Sequence, residues 1–330
     1  MKPTILVTGG AGYIGSHVTL ELSRAGYGVR VLDNLSVGHA AAVPADVLHV
    51  GDIADRELVT TIVKQHGIKA VMHFAADTLV DESVREPRKY FSNNTFKTDR
   101  MVGALLDAGV RSMVFSSSAA VYGEPQKVPI TENDSKYPTN AYGESKLLTE
   151  YILRHYDTAY QLKSVSLRYF NACGADPAGG AGEDHKPETH LIPIILQVAL
   201  GQRERIFIYG DDYPTHDGTC VRDYIHVTDL AAAHILALEW LLAGNPTRSY
   251  NLGNGEGHTV KEVVETARTV TGHPIPTQTT ERRPGDPVRL IAGAQRITAE
   301  LGWRPQYTEL HDIIQTAWNW HQIHPHGYGG

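Results

Sequence analysis

The chain opens on a strand that runs straight into a glycine-rich turn, and this junction constrains the fold more than any other feature. TILVT occupies residues 4–8 and GGAGYIGSH follows, setting Gly9, Gly12 and Gly15 ahead of a helical pattern. The first glycine permits a tight turn, the second lets backbone approach a pyrophosphate, and the third permits close helix–strand packing. Phosphate charge would sit at the helix N-terminus, where free N–H groups point at it. Such a junction begins a βαβ unit that holds a dinucleotide.

The chain continues that rhythm. VRVLD, AVMHFA, SMVFSSS and SVSLRYF read as further strands, with helices such as SHVTLELSRAG and AYGESKLLTEYILRHYDTAY between them. Continuous apolar strands separated by helices predict an α/β fold of Rossmann type, a parallel sheet with helices on both faces. Its crossovers should be right-handed. After Phe170 the pattern changes. Residues 171–190 are rich in Gly, Ala, Pro and Asp and predict a surface loop. LIPIILQVALGQ then reads as a helix and RIFIYG as a strand. A long helix follows VRDYIH, with Thr228 or Asp229 placed to cap it. The stretch 246–310 has the texture of a smaller α/β lobe, and the polar tail WHQIHPHGYGG should fray. The expected division is a dinucleotide-binding domain over 1–170, with about 221–250 packing back onto it, and a mainly substrate-binding domain over 171–330.

Composition excludes several function classes. Thirty basic residues against 37 acidic ones give a charge of −7, and the basic residues are scattered, which argues against nucleic acid as a partner. Two cysteines, Cys173 and Cys220, form no disulfide framework or zinc spacing, which suits a reducing compartment. Among 17 histidines, His73, His226 and His234 fall in core-like or helical settings and His321, His324 and His326 in the tail, so no metal site is predicted. The N-terminus lacks the sections of a signal peptide. The most apolar later stretch, DLAAAHILALEWLLAG, carries Asp229, His234 and Glu239 and reads as a soluble helix, not a membrane span. A cytoplasmic protein is expected.

Two carboxylates and one helix locate the chemistry. Asp33 ends the second strand 18 residues after Gly15. There it can accept from a ribose diol and repel a 2′-phosphate, so NAD is favoured over NADP. Asp52, in VGDI, could reach the adenine edge or cap its own turn. Tyr142 and Lys146 lie four apart on a helix and so share a face, with the phenol beside the ammonium. A cation and an oxidised nicotinamide would favour the phenolate, which makes Tyr142 a base for a carbinol proton. Ser118, at the end of a strand, could hold the substrate oxygen and relay the proton. Ser116 and Ser117 close the same strand.

Taken together, GGAGYIGSH, LDNLS, GDI, HFAA, SSSAAVYG, YGESK and LRYFN resemble the extended short-chain dehydrogenase/reductase family. DYPTHDGTCVRDYIHVTDLA, YNLGNG and RRPGD are closely similar to the branch of it that epimerises UDP-sugars, and the resemblance covers essentially the whole chain. It implies a retained NAD and interconversion of UDP-galactose and UDP-glucose through a 4-keto sugar. Tyr142, Lys146 and Ser118 would be catalytic. To the NAD site it assigns Gly9, Gly12, Tyr13, Ile14, Gly15, Asp33, Asn34, Asp52, Ile53, Phe74, Ala75, Ala76, Asn93, Ser116, Tyr142, Lys146 and Tyr169. To the UDP-sugar site it assigns Ser118, Tyr142, Asn171, His190, Leu191, Tyr209, Arg222, Arg283, Asp286 and Leu290. Arg222 and Arg283 would neutralise the diphosphate, Asp286 would bind the uridine ribose, and Leu290 would stand at the sugar-pocket gate. A homodimer is implied as well.

The chain departs from that pattern at Thr78, where many members carry a lysine near the pyrophosphate, and at Thr189 and His190, where many carry asparagines. Leu290 is intermediate in size and leaves N-acetylhexosamine nucleotides open as substrates. Pentose and uronic-acid nucleotides stay open as alternatives because their epimerisation uses the same chemistry and differs only in groups at sugar C5. A dehydratase or decarboxylase would need a carboxylate just after Ser118, where Ala119, Ala120 and Val121 stand. An intact Ser118, Tyr142 and Lys146 set argues against a non-catalytic NAD-binding protein.

Overall fold

A computed structural model describes residues 2–283 and 286–329. Seven strands form one parallel sheet: β1 (Thr4–Thr8), β2 (Gly28–Asp33), β3 (Leu48–Val50), β4 (Ala70–His73), β5 (Ser112–Ser118), β6 (Lys163–Tyr169) and β7 (Arg248–Leu252). Their order is β7-β6-β5-β4-β1-β2-β3, and every neighbouring pair is parallel. The sheet reverses its direction of growth between β1 and β4. Open α/β sheets bind ligands in the crevice beyond such a switch point.

Alternation along each strand explains the two covering layers. Ile5 and Val7 of β1 face helices Tyr13–Arg24 and Val227–Leu242, joining Val18, Leu22, Leu230 and Leu238 in one core. Leu6 faces the other way, with Val71, Met113 and Phe115, against Val59, Ile62, Met101, Leu105 and Leu153 of the opposite helices. A third core, built on Ile195, Leu196, Val263, Val264, Ile313 and Ile314, serves the later part of the chain. Helix Ala141–Tyr160 and strand β5 have the bounds their sequence patterns predict.

Four local expectations are corrected. Strand β7, inside the stretch read as a smaller lobe, joins the main sheet beside β6. Helix Val227–Leu242 is capped by the His226 ring, which accepts from the Thr228 N–H, so Thr228 and Asp229 lie inside its first turn. Asp229 reaches outward instead and accepts from the backbone N–H of Gln306 (2.8 Å) and Tyr307 (2.9 Å). Much of 171–190 is interior: Asn171–Cys173 pairs with Tyr224–His226, and residues 173–176 and 181–183 are buried. The tail is packed rather than frayed. Trp320 lies against Gly182, where an added Cβ would meet its ring at 2.1 Å, and the Tyr328 hydroxyl accepts from the Gly182 N–H at 3.0 Å.

Candidate active site

A cavity of about 840 Å³ lies beyond the carboxyl ends of β1, β2, β4, β5 and β6, within the range of small-molecule sites. Every cofactor and substrate residue predicted above lines it except Leu290. Leu290 pairs with Arg222 in a short strand and packs on the small core of Val121, Tyr122, Ile130 and Leu147. It therefore stands beside the cavity wall, not on it.

The glycine turn fits a dinucleotide for reasons visible in its packing. Gly9 has φ +71°, and a Cβ there would strike the Ala75 backbone at 2.4 Å. A Cβ at Gly15 would strike the Gly9 carbonyl at 2.1 Å. At Gly12 the nearest protein atom is an ordinary 3.4 Å away, so the space in front of it belongs to the cavity. Helix Tyr13–Arg24 begins at Gly12 with no side-chain cap and no acid in its first turn. Its free N–H groups and positive dipole end are left for an anion.

Asp33 serves the turn itself: one oxygen accepts from the Ala11 N–H and the other from the Leu35 N–H, each at 2.9 Å. Asp52 caps its own turn through the Ala54 N–H (2.8 Å) and pairs with Lys97. Asn34 accepts from the Ser36 N–H at 3.1 Å. Ile14, Ile53, Phe74, Ala75 and Ala76 supply apolar wall and backbone around them. Tyr13 reaches across the cavity, its hydroxyl donating to the Gly174 carbonyl at 2.7 Å. Asn93 sits beside Asn94, which accepts from the Asp77 N–H at 2.8 Å.

Tyr142 and Lys146 sit at the start of helix Ala141–Tyr160, capped by the Asn140 side chain on the Gly143 N–H at 2.9 Å. Gly143 lets the helix press on the turn after β5, since a Cβ there would meet the Ala120 carbonyl at 2.5 Å. That contact brings Ser118 to Tyr142. Burial pushes the Tyr142 phenol up from its ordinary range, and the hydrogen bond with Ser118 offsets part of the rise. Lys146 is 3 % exposed, and burial lowers its ammonium to about 7. It donates to the Ser116 carbonyl at 2.8 Å, and its Nζ lies 5.8 Å from the Tyr142 ring centre. Ser116 and Tyr169 share a short hydroxyl–hydroxyl contact below it.

At the other end of the cavity Arg222 is ion-paired with Asp286, 64 positions away in sequence. The Arg283 guanidinium lies 3.9 Å over the Tyr209 ring. Asn171 donates to the Asp223 carbonyl at 3.0 Å, and Leu191 begins the helix that forms the floor. His190 belongs to a cluster that sequence reasoning missed, with Glu183, His185 and Glu188. Burial alone would lower the two imidazoles, yet the carboxylates hold His185 up at about 9 and His190 at about 10. The signal was the spacing Glu-x-His-x-x-Glu-x-His, overlooked within a segment read as loop.

Comparison with known proteins agrees with this geometry. The chain is 55% identical to the UDP-glucose 4-epimerase of Halalkalibacterium halodurans, over 98% of this chain and 97% of that one. It superposes on the crystal structure of UDP-glucose 4-epimerase from Brucella ovis in complex with NAD, with a TM-score of 0.94, 44% identity and coverage of 96% and 98% of the two chains. It superposes likewise on the enzyme of that name from Bifidobacterium longum in complex with NAD+ and UDP, with a TM-score of 0.91, 38% identity and coverage of 98% and 99%. Over residues 5–253 the sequence matches the NAD dependent epimerase/dehydratase family, and the chain belongs to that family.

Proposed function

We propose that this chain interconverts UDP-galactose and UDP-glucose by reversible oxidation and reduction at sugar C4. One observation carries the reading: a single cavity joins an uncapped glycine-led helix start, the Ser118–Tyr142 pair and an arginine-lined end. Bound NAD supplies an acceptor for the C4 hydride and later returns it. Tyr142 removes the proton from the 4-hydroxyl, with Ser118 holding that oxygen, and gives a proton back when the 4-keto sugar is reduced. Lys146 orients the nicotinamide ribose and, when charged, favours the phenolate of Tyr142. Arg222 and Arg283 hold the diphosphate and Asp286 the uridine ribose, so the nucleotide is gripped while the sugar can turn. The short side chain of Thr78 leaves the pyrophosphate to the backbone of the glycine turn.

The same reading divides the chain into an NAD-binding part over 1–170, joined by 221–250, and a mainly UDP-sugar-binding part over 171–330. Among the described residues no helix is long and apolar enough to cross a membrane. We assign the protein to the cytoplasm, where the buried free thiols of Cys173 and Cys220 would stay reduced. The exposed apolar side chains Phe96, Leu148 and Tyr151, on two packed helical segments, support a homodimer formed there. The test is incubation of purified protein with UDP-galactose, without added NAD. UDP-glucose should form. Conversion of UDP-xylose or UDP-N-acetylgalactosamine alone, with UDP-galactose unchanged, would overturn the substrate assignment.

A further inference from the structure

Four side chains, among them the His190 that resemblance assigns to the UDP-sugar site, take no part in the proton and hydride steps just described. Glu183, His185, Glu188 and His190 come from a single eight-residue stretch and turn their polar atoms toward one point. The His190 Nδ1 lies 3.0 Å from Glu183 Oε1 and 3.0 Å from Glu188 Oε1. The His185 Nδ1 lies 3.3 Å from Glu183 Oε1 and 3.6 Å from Glu188 Oε2. One ligand atom from each of the four lies within 4.8 Å of the others. Donors held at about 2.0–2.1 Å by one tetrahedral ion stand about 3.3–3.4 Å apart, so small side-chain adjustments would draw the four into one shell.

Two further observations point to a cation. The side chains of Glu183 and Glu188 are only 5% and 3% exposed. Two carboxylates buried together are compensated by positive charge beside them, which one cation held by neutral imidazoles supplies as well as two imidazolium rings do. The His190 side chain, 46% exposed, opens the cluster to the cavity. The His185 Nδ1 is buried with no hydrogen-bond partner, although two carboxylates surround it. The Glu188 Oε1 also accepts from the Thr189 and His190 N–H groups, each at 2.8 Å, which fixes that carboxylate as outer-shell contacts fix metal ligands.

We propose that Glu183, His185, Glu188 and His190 bind one divalent cation of the zinc class in the wall of the cavity. Two imidazole nitrogens and two carboxylate oxygens suit zinc better than calcium or magnesium, which take oxygen shells. All four positions are filled by protein, so the ion is structural and takes no part in turnover. It pins the segment that ends where helix Leu191–Ala199 begins. That segment also sets the His185 ring edge-on to Tyr13 at 6.2 Å, joining the glycine turn to the opposite wall.

The experiment uses the full chain without a histidine tag. Elemental analysis should find about one zinc per chain, which chelation removes and added zinc restores together with the thermal midpoint. Cobalt(II) loaded into the chelated wild-type protein should give the strong visible bands of a four-coordinate ion. The paired substitutions His185→Ala and His190→Ala should weaken zinc binding at least about 100-fold. The cobalt spectrum needs no variant, so misfolding of that variant cannot mask the answer. Failure of wild-type protein to bind zinc at micromolar concentration, or a purely six-coordinate cobalt spectrum, would overturn the proposal and leave two imidazolium–carboxylate pairs only. Full zinc retention by the double variant would overturn it as well.

Discussion

Lys146 and Glu150 stand one turn apart on the same face of helix Ala141–Tyr160, both almost fully buried, and the fold treats their charges in opposite ways. Glu150 is surrounded by donors. Its Oε1 accepts from the Arg168 Nε at 2.9 Å and from the Ser117 hydroxyl at 2.6 Å, while the other oxygen pairs with a second Arg168 nitrogen. Arg168 is in turn tied through the Tyr122 hydroxyl (2.8 Å) to Asn251 of β7. Lys146 has the Ser116 carbonyl and, among the described residues, no carboxylate partner. A buried charge that serves structure is paired and hydrogen-bonded, whereas one that serves chemistry is left short of partners so that its proton affinity can be tuned.

Three substitutions would break or sharpen that contrast. The largest effect belongs to the side chain that Lys146 serves. Tyr142→Phe should lower kcat about 1,000-fold or more while NAD remains bound, read by turnover and by the cofactor absorbance of the purified protein. Survival of activity would remove Tyr142 as the base. Next comes the paired charge: Glu150→Gln strands Arg168 in the interior and should cost about 3–5 kcal/mol in urea unfolding. A loss within about 0.5 kcal/mol would mean that the network is dispensable.

Smallest is the unpaired charge. Lys146→Met should abolish most turnover yet stabilise the NAD-free protein by about 1–4 kcal/mol at pH 7, since it removes a buried ammonium that nothing compensates. The sign with pH follows from the folded value of about 7, below the ordinary 10.5. Between these values the unfolded chain holds the proton and the folded one does not, so wild-type stability rises with pH across that window and falls as pH drops through 7. The Met variant should lose that slope. An unchanged slope would assign it to other groups.

Local signals carried most of the fold. Strand β5 and helix Ala141–Tyr160 were legible to the residue because apolar period, β-branched content and the Asn140 cap all lie within a few positions. The glycine turn was legible for the same reason, and with it the nucleotide end of the cavity. What escaped reading was set by distant partners. Asp229 looked like a cap because a short acid before a helical run usually is one, but backbone from 306–307 claims its carboxylate. The tail read as polar because its histidines are polar; in the fold, His324 stacks on Trp320 at 4.8 Å and the segment is held by Gly182. Arg222 was recognisable as a cation, yet its ion pair with Asp286 depends on a contact no local pattern announces. Leu290 was placed at the sugar by resemblance, whereas its packing turns it to a neighbouring core.

The late arrival of β7 has a consequence for how the protein is made. Strand β6 is complete at Tyr169, but its partner ends only at Leu252, roughly 80 residues later. At synthesis rates of about 5–20 residues per second the ribosome needs several seconds to deliver it. Throughout that interval β6 presents an open row of peptide groups along a strand that carries Val165, Leu167 and Tyr169, the arrangement that recruits foreign strands. The network from Arg168 to Asn251 cannot close until the same moment. The emerging chain is thus most exposed to mispairing after its nucleotide turn has formed, and a nascent chain stalled short of Leu252 is the species in which chaperone capture should be sought.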